Sequence, residues 1–249
     1  MADIVDERGY NQIFRPTTAS ALRLRRRAQA MVDAMDLPAA PEARAAIRIL
    51  EIGCGMGELA HELAVLTGAR VTGVDLSPGF IDHATSTYRH PRLNFIVADL
   101  SQSNPVSERE QYDFIVGNGI LHHLYHQLDA FLPVLARWLM PTGRLIFWEP
   151  NLWNPYVFLI FTFPALRRVA KLEPDEMAFT PGFIRRKLTQ AGFGRVRATT
   201  RDFLLPNTPT ALIRPVIAVG GVLDRIPLVN RMAQSLFFVA EKSAAPRHQ

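Results

Sequence analysis

An α/β fold built on an open, mostly parallel sheet is predicted by three observations. The first is an apolar run, Ile49-Leu50-Glu51-Ile52, that breaks into alternating glycines at Gly53, Gly55 and Gly57 and then into a helical pattern, Leu59, Leu63 and Leu66. A buried strand turning sharply into a helix has this form, and the glycines let the backbone approach a ligand closely. The second is that two further apolar runs end in acids, Asp75 and Asp99. In open α/β sheets the carboxyl ends of successive parallel strands line the ligand crevice. The third is length: 249 residues hold one such domain with a full core and appendages, rather than two independent domains.

The elements follow in chain order. In an N-terminal arm, residues 1–46, Ala21, Leu24, Ala28, Met31, Val32 and Met35 recur at three-and-four spacing and predict one apolar helix face. Arg23, Arg25, Arg26 and Arg27 crowd the same segment and are expected on its outer face, with no interleaved aromatics to suggest a nucleic-acid surface. Pro38-Ala39-Ala40-Pro41 reads as a linker into the first strand. Arg70–Asp75 is a second strand, followed by a helix with Ser77 as cap and Pro78 at its first position. Leu93–Leu100 is a third strand, and Tyr112 and Leu139 open the segments of the fourth and fifth. Asn151–Pro155 is turn-like and leads into an apolar run, Tyr156–Phe163, far short of the ~20 residues that cross a bilayer. Buried lid packing is expected of this run, with a pocket wall or shallow membrane-surface contact as the alternative. Ile213–Leu223 is interrupted by Pro215 and Gly220-Gly221 and is excluded as a span as well. Thr180 caps a helix with Pro181 at its first position, ending at Ala191-Gly192. Arg195–Thr200 and Ser235–Lys242 read as the last two strands, and Ala244–Gln249 as a frayed tail.

The glycine loop narrows the ligand. A dinucleotide loop, G-x-G-x-x-G, would need glycine at position 58, which is Glu58. Glu51 and Glu58 would repel a pyrophosphate and attract an ammonium, so the loop suits a nucleoside that carries an amino acid. Cys54, the sole cysteine, reads as a small residue filling a tight loop rather than a nucleophile. One cysteine excludes an internal disulfide and fits a reducing compartment, and Met1–Arg8 lacks the apolar core of a signal peptide, so a cytoplasmic location is expected. The net charge of +5 is basic without arguing for nucleic acid.

Glu51-Ile52-Gly53-Cys54-Gly55-Met56-Gly57 resembles the first motif, E-x-G-x-G-x-G, of the class I S-adenosylmethionine (SAM)-dependent methyltransferases. The likeness continues in order through Asp75, Asp99, Tyr112–Leu124 and Leu139–Pro150. It implies a Rossmann-like sheet of seven strands, mostly parallel with the last antiparallel, and helices on both faces. The domain would span 47–243, with a lid insertion at about 151–180. SAM is the implied cofactor. The methionine part would lie on Glu51, Gly53, Cys54, Gly55 and Gly57, the ribose on Asp75 beside Leu76, and the adenine on Asp99 and Leu100. Asn118 and Gly119 would contribute backbone near the sulfonium. His122, His123 and Glu149 are the catalytic candidates, because a protonated acceptor needs a base and histidine titrates near neutrality. Tyr10 and Arg15 of the arm, with Asn151 and Tyr156, are the expected acceptor contacts. His122 and His126 lie four apart, but no third ligand is evident and no metal is expected. A small, apolar or lipid-like acceptor is the expected partner, with peripheral membrane contact compatible with it. An RNA methyltransferase using the basic arm and a non-catalytic SAM-binding regulator are the alternatives.

Overall fold

A computed structural model describes residues 17–100 and 111–242; Tyr10, Arg15 and the Ala244–Gln249 tail lie outside the described residues. Seven strands, β1 (Arg48–Ile52), β2 (Arg70–Asp75), β3 (Leu93–Val97), β4 (Tyr112–Asn118), β5 (Leu139–Pro150), β6 (Phe193–Arg201) and β7 (Ser235–Lys242), form one sheet. Their order is β3-β2-β1-β4-β5-β7-β6. The first five run parallel, while β7 is antiparallel to both β5 and β6. From β1 the chain grows outward to β2 and β3, then returns to place β4 and β5 on β1's other side. The crevice beyond the carboxyl ends of β1 and β4 is therefore the topological switch point.

Strand alternation builds a core on each face of the sheet. Leu50, Ile52, Ile115, Leu145 and Phe147 pack against helices α5 (Leu128–Trp138) and α8 (Pro181–Gln190). Ile49, Val71, Val116, Ile146 and Trp148 point the other way, against α1 (Thr18–Met35) and α3 (Glu58–Thr67). Between α1 and β1 lies α2 (Pro41–Ala46), a short helix where the sequence suggested only a linker. The expected caps form: the Ser77 hydroxyl accepts from Phe80 N–H ahead of α4 (Pro78–Thr87), and Thr180 accepts from Phe183 N–H ahead of α8.

Two expectations are corrected. Arg23 and Arg27 do not lie on the outer face of α1; their side chains are 14% and 10% exposed, against 71% for Arg25. Arg23 Nε donates to Asp202 Oδ2 at 2.9 Å, and both guanidiniums reach the Ser235 hydroxyl. A counter-charge arriving from the end of β6 turns the cations inward, and nothing in the local periodicity of α1 reveals it. Ala21, expected on the apolar face, is exposed instead.

The segment expected to form a lid also differs. Its helices are α6 (Pro155–Thr162), capped by Asn154, and α7 (Pro164–Val169). Val157 and Phe161 are buried, but Tyr156, Phe158, Leu159 and Phe163 are each more than 40% exposed. Eight residues of nearly unbroken apolar sequence give a helix apolar on all sides, and the domain covers only one of them. Helix α9 (Thr210–Leu223) runs through Pro215 and likewise exposes Val219 and Val222.

Candidate functional site

The β1–α3 loop is held open by three glycines with left-handed backbone, Gly53, Gly55 and Gly57. At Gly57 (φ 89°) a Cβ would come within 2.7 Å of the Phe95 ring and 2.8 Å of Ala84 Cβ, so only glycine fits. Asp75 braces this loop from β2: its carboxylate accepts from Gly55 N–H at 2.8 Å and from Ser77 N–H at 3.0 Å. Leu76 is exposed at the rim, and Asp99 and Leu100 are half-buried just beyond β3, where Ala98 N–H donates to Asp75 C=O.

Glu51 closes the loop from below. It is 2% exposed, and its Oε2 has no hydrogen-bond partner. Burial pushes its carboxyl well above the usual range, Glu58 and Asp75 push it further, and the Ala60 amide offsets only part. Burial and the same carboxylates raise the Cys54 thiol, which fits a packing residue and not a nucleophile. The donor set, an orphaned carboxylate oxygen among further carboxylates, fits an ammonium and a nearby cationic centre and does not fit a diphosphate.

Across the switch point, Glu149 at the end of β5 is a hub with a fully buried side chain. Its carboxylate accepts from the backbone N–H groups of Ile120 (3.1 Å), Leu121 (2.7 Å) and His122 (3.3 Å), and pairs with His122 Nδ1 at 2.8 Å. Four partners saturate it, so it shapes the turn after β4 and orients His122. His123 turns to the lid instead: its Nδ1 lies 2.9 Å from Glu176 and 3.5 Å from Glu173. Burial works against the charged imidazole, but the Glu176 hydrogen bond and the surrounding carboxylates outweigh it and raise the His123 pKa. Beside this pair, Met177 N–H donates to His122 C=O at 3.1 Å, fastening the lid's return strand to the turn.

The remaining candidates lie at the end of β4, after β5 and in the segment that follows. Asn118 Oδ1 accepts from Arg27 at 2.6 Å, and Gly119 N–H donates to Trp148 C=O at 2.7 Å. Asn151 is fully buried; its amide donates to the Arg231 and Ala233 carbonyls, and its oxygen accepts from Trp153 N–H. It is a staple between the 151–180 segment and the stretch that leads into β7. Tyr156 is 55% exposed at the start of α6. His126 is exposed and does not share a face with His122, because the segment is a 3₁₀ turn with a break at Leu124. Instead Glu176 joins His122 and His123, each offering one potential ligand atom within 4.8 Å of the others. Within it His123 Nδ1 pairs with Glu176, while His122 Nδ1 pairs with Glu149 outside it. Glu176 was missed as a site residue because the pairing with His123 is long-range and leaves no periodic signal. Arg167 gathers the Phe161, Glu173, Pro174 and Glu176 carbonyls and so organises the lid from within.

Residues 49–143 match a family model described as a methyltransferase domain. A malonyl-[acyl-carrier protein] O-methyltransferase of Priestia megaterium is 35% identical over 102 residues, covering 41% of this chain and 36% of that protein. A fatty-acid O-methyltransferase of Mycolicibacterium smegmatis is 34% identical over 101 residues, covering 40% and 36%. The matched stretch thus spans about a third of each of these relatives. Among solved structures, a SAM-dependent methyltransferase from Archaeoglobus fulgidus has a TM-score of 0.62 at 18% identity over 90% of this chain and 95% of that one. Magnesium protoporphyrin IX methyltransferase from Synechocystis PCC 6803 has a TM-score of 0.56 at 19% identity over 90% and 84%. At these identities the structures support the fold alone.

Proposed function

We propose that the chain is a class I SAM-dependent methyltransferase that methylates a small, apolar or lipid-like acceptor, a reading supported by the methyltransferase domain matched at residues 49–143. The observation that carries the cofactor half is the buried Glu51 oxygen without a partner at the end of β1. SAM supplies a methyl group on a cationic sulfur whose departure as a neutral thioether needs no acid. Glu51 would take its ammonium, and the Gly53–Gly57 loop its amino-acid backbone. Asp75 would take the ribose hydroxyls with the lone pairs left over from Gly55 and Ser77. Asp99 and Leu100 lie where the adenine would end.

The acceptor half rests on His122. Glu149 holds its Nδ1 as the donor, which leaves Nε2 to take a proton from an acceptor hydroxyl as the methyl is transferred; a carboxylate acceptor arrives ionised and needs no base. Glu149 is then a positioning residue, and His123 holds the lid. A lipid-like acceptor is supported by the activities for which the two bacterial relatives are named and by the apolar lid. A peripheral membrane contact belongs to this reading, because such acceptors partition into bilayers. The RNA alternative is weakened, since Arg23 and Arg27 turn to Asp202 and away from solvent.

The test is incubation with methyl-labelled SAM and a panel of fatty acids, acyl-carrier-bound acids and quinols, run beside an RNA pool. Label in an apolar product is expected, and where the labelled acceptor is a hydroxyl, His122→Ala should slow turnover ~10²–10⁴-fold while SAM affinity is kept. Label in RNA alone, or no SAM binding by calorimetry, would overturn the proposal.

A further inference from the structure

The exposed apolar surface of the lid does not end with α6 and α7. Asn154 Nδ2 donates to Met232 C=O at 2.6 Å, and the Arg231 guanidinium sits 5.4 Å from the Trp153 ring centre. The start of α6 is thereby joined to the segment that follows α9, where Leu228 is 66% and Met232 47% exposed. Leu228 stands at φ 72°, a left-handed backbone that a leucine adopts only at a cost. A branched apolar side chain held in that conformation at a loop tip, and turned to solvent, calls for something that covers it.

Charge says what that is. Across 151–180 and 203–232 the basic residues are Arg167, Arg168, Lys171, Arg214, Arg225 and Arg231, and the acids are Glu173, Asp175, Glu176 and Asp224, of which Glu173 and Glu176 face His123. Arg167 is committed to lid carbonyls, and the other five are exposed. A second copy of this chain docked face to face would bring like cations together. A surface that is apolar beneath and anionic at its rim would accept both the side chains and the cations. No helix among the described residues is long and apolar enough to cross a membrane, so the contact would be a shallow one.

We propose that α6, α7 and the 224–232 segment form one docking face for an anionic lipid bilayer, with Phe158, Phe163, Leu228 and Met232 inserted below the headgroups. The inference rests on the proposed methyl transfer to a lipid-like acceptor and names where that acceptor is met. The inserted helices leave β5 directly after Glu149 and return at Met177, bonded to His122, so the face borders the acceptor side of the cleft. A membrane-resident acceptor would move from the bilayer to His122 without crossing water.

The full-length chain would be sedimented with vesicles of phosphatidylcholine alone and of phosphatidylcholine with phosphatidylglycerol. Binding to the anionic vesicles, weakened by salt, is expected. Phe158→Glu and Leu228→Glu should each abolish it, and Arg225→Gln should weaken it roughly fivefold, as expected for one interfacial cation. Calorimetric SAM affinity in all three variants should equal that of the parent, which shows that they are folded. Two outcomes overturn the docking face: no vesicle binding by a parent that binds SAM, or apolar-face variants that bind vesicles like the parent. Dimerisation through this face, read by light scattering and lost in Leu228→Glu, would overturn it too. Vesicle binding by a chain that does not bind SAM would instead overturn the methyl-transfer reading and leave the face standing.

Discussion

At Glu51 the carboxylate is desolvated, has a free buried oxygen, and faces Glu58 and Asp75. Without a cation the folded state holds its proton at a pH where the unfolded chain would release it. Its contribution to stability therefore declines as pH rises above the ordinary carboxyl value and through the raised folded one. Cation binding requires the ionised form, so SAM affinity should increase with pH across that same window, with a proton released on binding. Glu51→Gln removes the charge and keeps the shape. We expect it to weaken SAM binding by about 1.5–3 kcal/mol, the range for hydrogen bonds to charged groups, and to flatten the pH dependence. The unliganded variant should melt no lower than the parent. Titration calorimetry in buffers of different ionisation enthalpy reads the affinity and its proton linkage, thermal unfolding reads the stability, and a variant with the parent's affinity would remove Glu51 from the ammonium site. This residue was legible in the sequence because strand, glycines and acid are contiguous. Glu176 was not, because its partner His123 is brought to it only by the lid's return.

Elements repeat that division. Ser77-Pro78 and Thr180-Pro181 predicted helix starts correctly because a cap is a local hydrogen bond. The apolar runs that gave β1, β2 and β7 are equally local. What the sequence concealed is which face of a helix meets a charged partner: the α1 arginines and the exposed side of α6 depend on contacts from distant strands. The lid return is the element whose strength should depend most on pH. His123 has a raised pKa, so its pairing energy is complete below the ordinary value of 6.5 and is lost as pH rises through the folded value. For Glu176, burial opposes ionisation but His123 outweighs it and lowers the pKa, so its share is complete above the ordinary 4.5 and is lost on acidification. Between those two ordinary values both contributions are whole. Hydrogen exchange at the Met177 amide, corrected for its intrinsic rate, should show greatest protection there and decline above it. In His123→Ala the protection should be lower and the alkaline decline absent; matching profiles in variant and parent would remove the latch.

On the scale of the whole molecule, one carboxylate joins the N-terminal helix to the far side of the sheet. Asp202, just beyond β6 and 7% exposed, faces Arg23 at 2.9 Å, Arg26 at 3.3 Å and Arg27 at 3.6 Å. Burial lowers the Arg27 pKa to about 9, Arg23 adds to the shift, and Asp202 and Glu149 oppose it. The cations tolerate burial because Asp202 and the Ser235 hydroxyl share them, and Arg27 carries the restraint on to Asn118 at the end of β4. Helix α1 is thus fixed against the same crevice that holds Glu51 and His122. Asp202 has φ 75°, a conformation that asparagine also tolerates, so Asp202→Asn tests charge without adding backbone strain. Two buried guanidiniums would lose their counter-ion, a change that costs about 3–5 kcal/mol in buried pairs. At about 2–4 °C per kcal/mol for a chain of this size, the melting temperature should fall by roughly 6–20 °C. Replacing Arg23 with Met in the Asp202→Asn background should restore part of that loss, because one stranded cation is removed and its apolar stem is kept. Strict additivity of the two substitutions in thermal unfolding would mean that the arginines and Asp202 are not coupled, and that α1 is held by its apolar face alone.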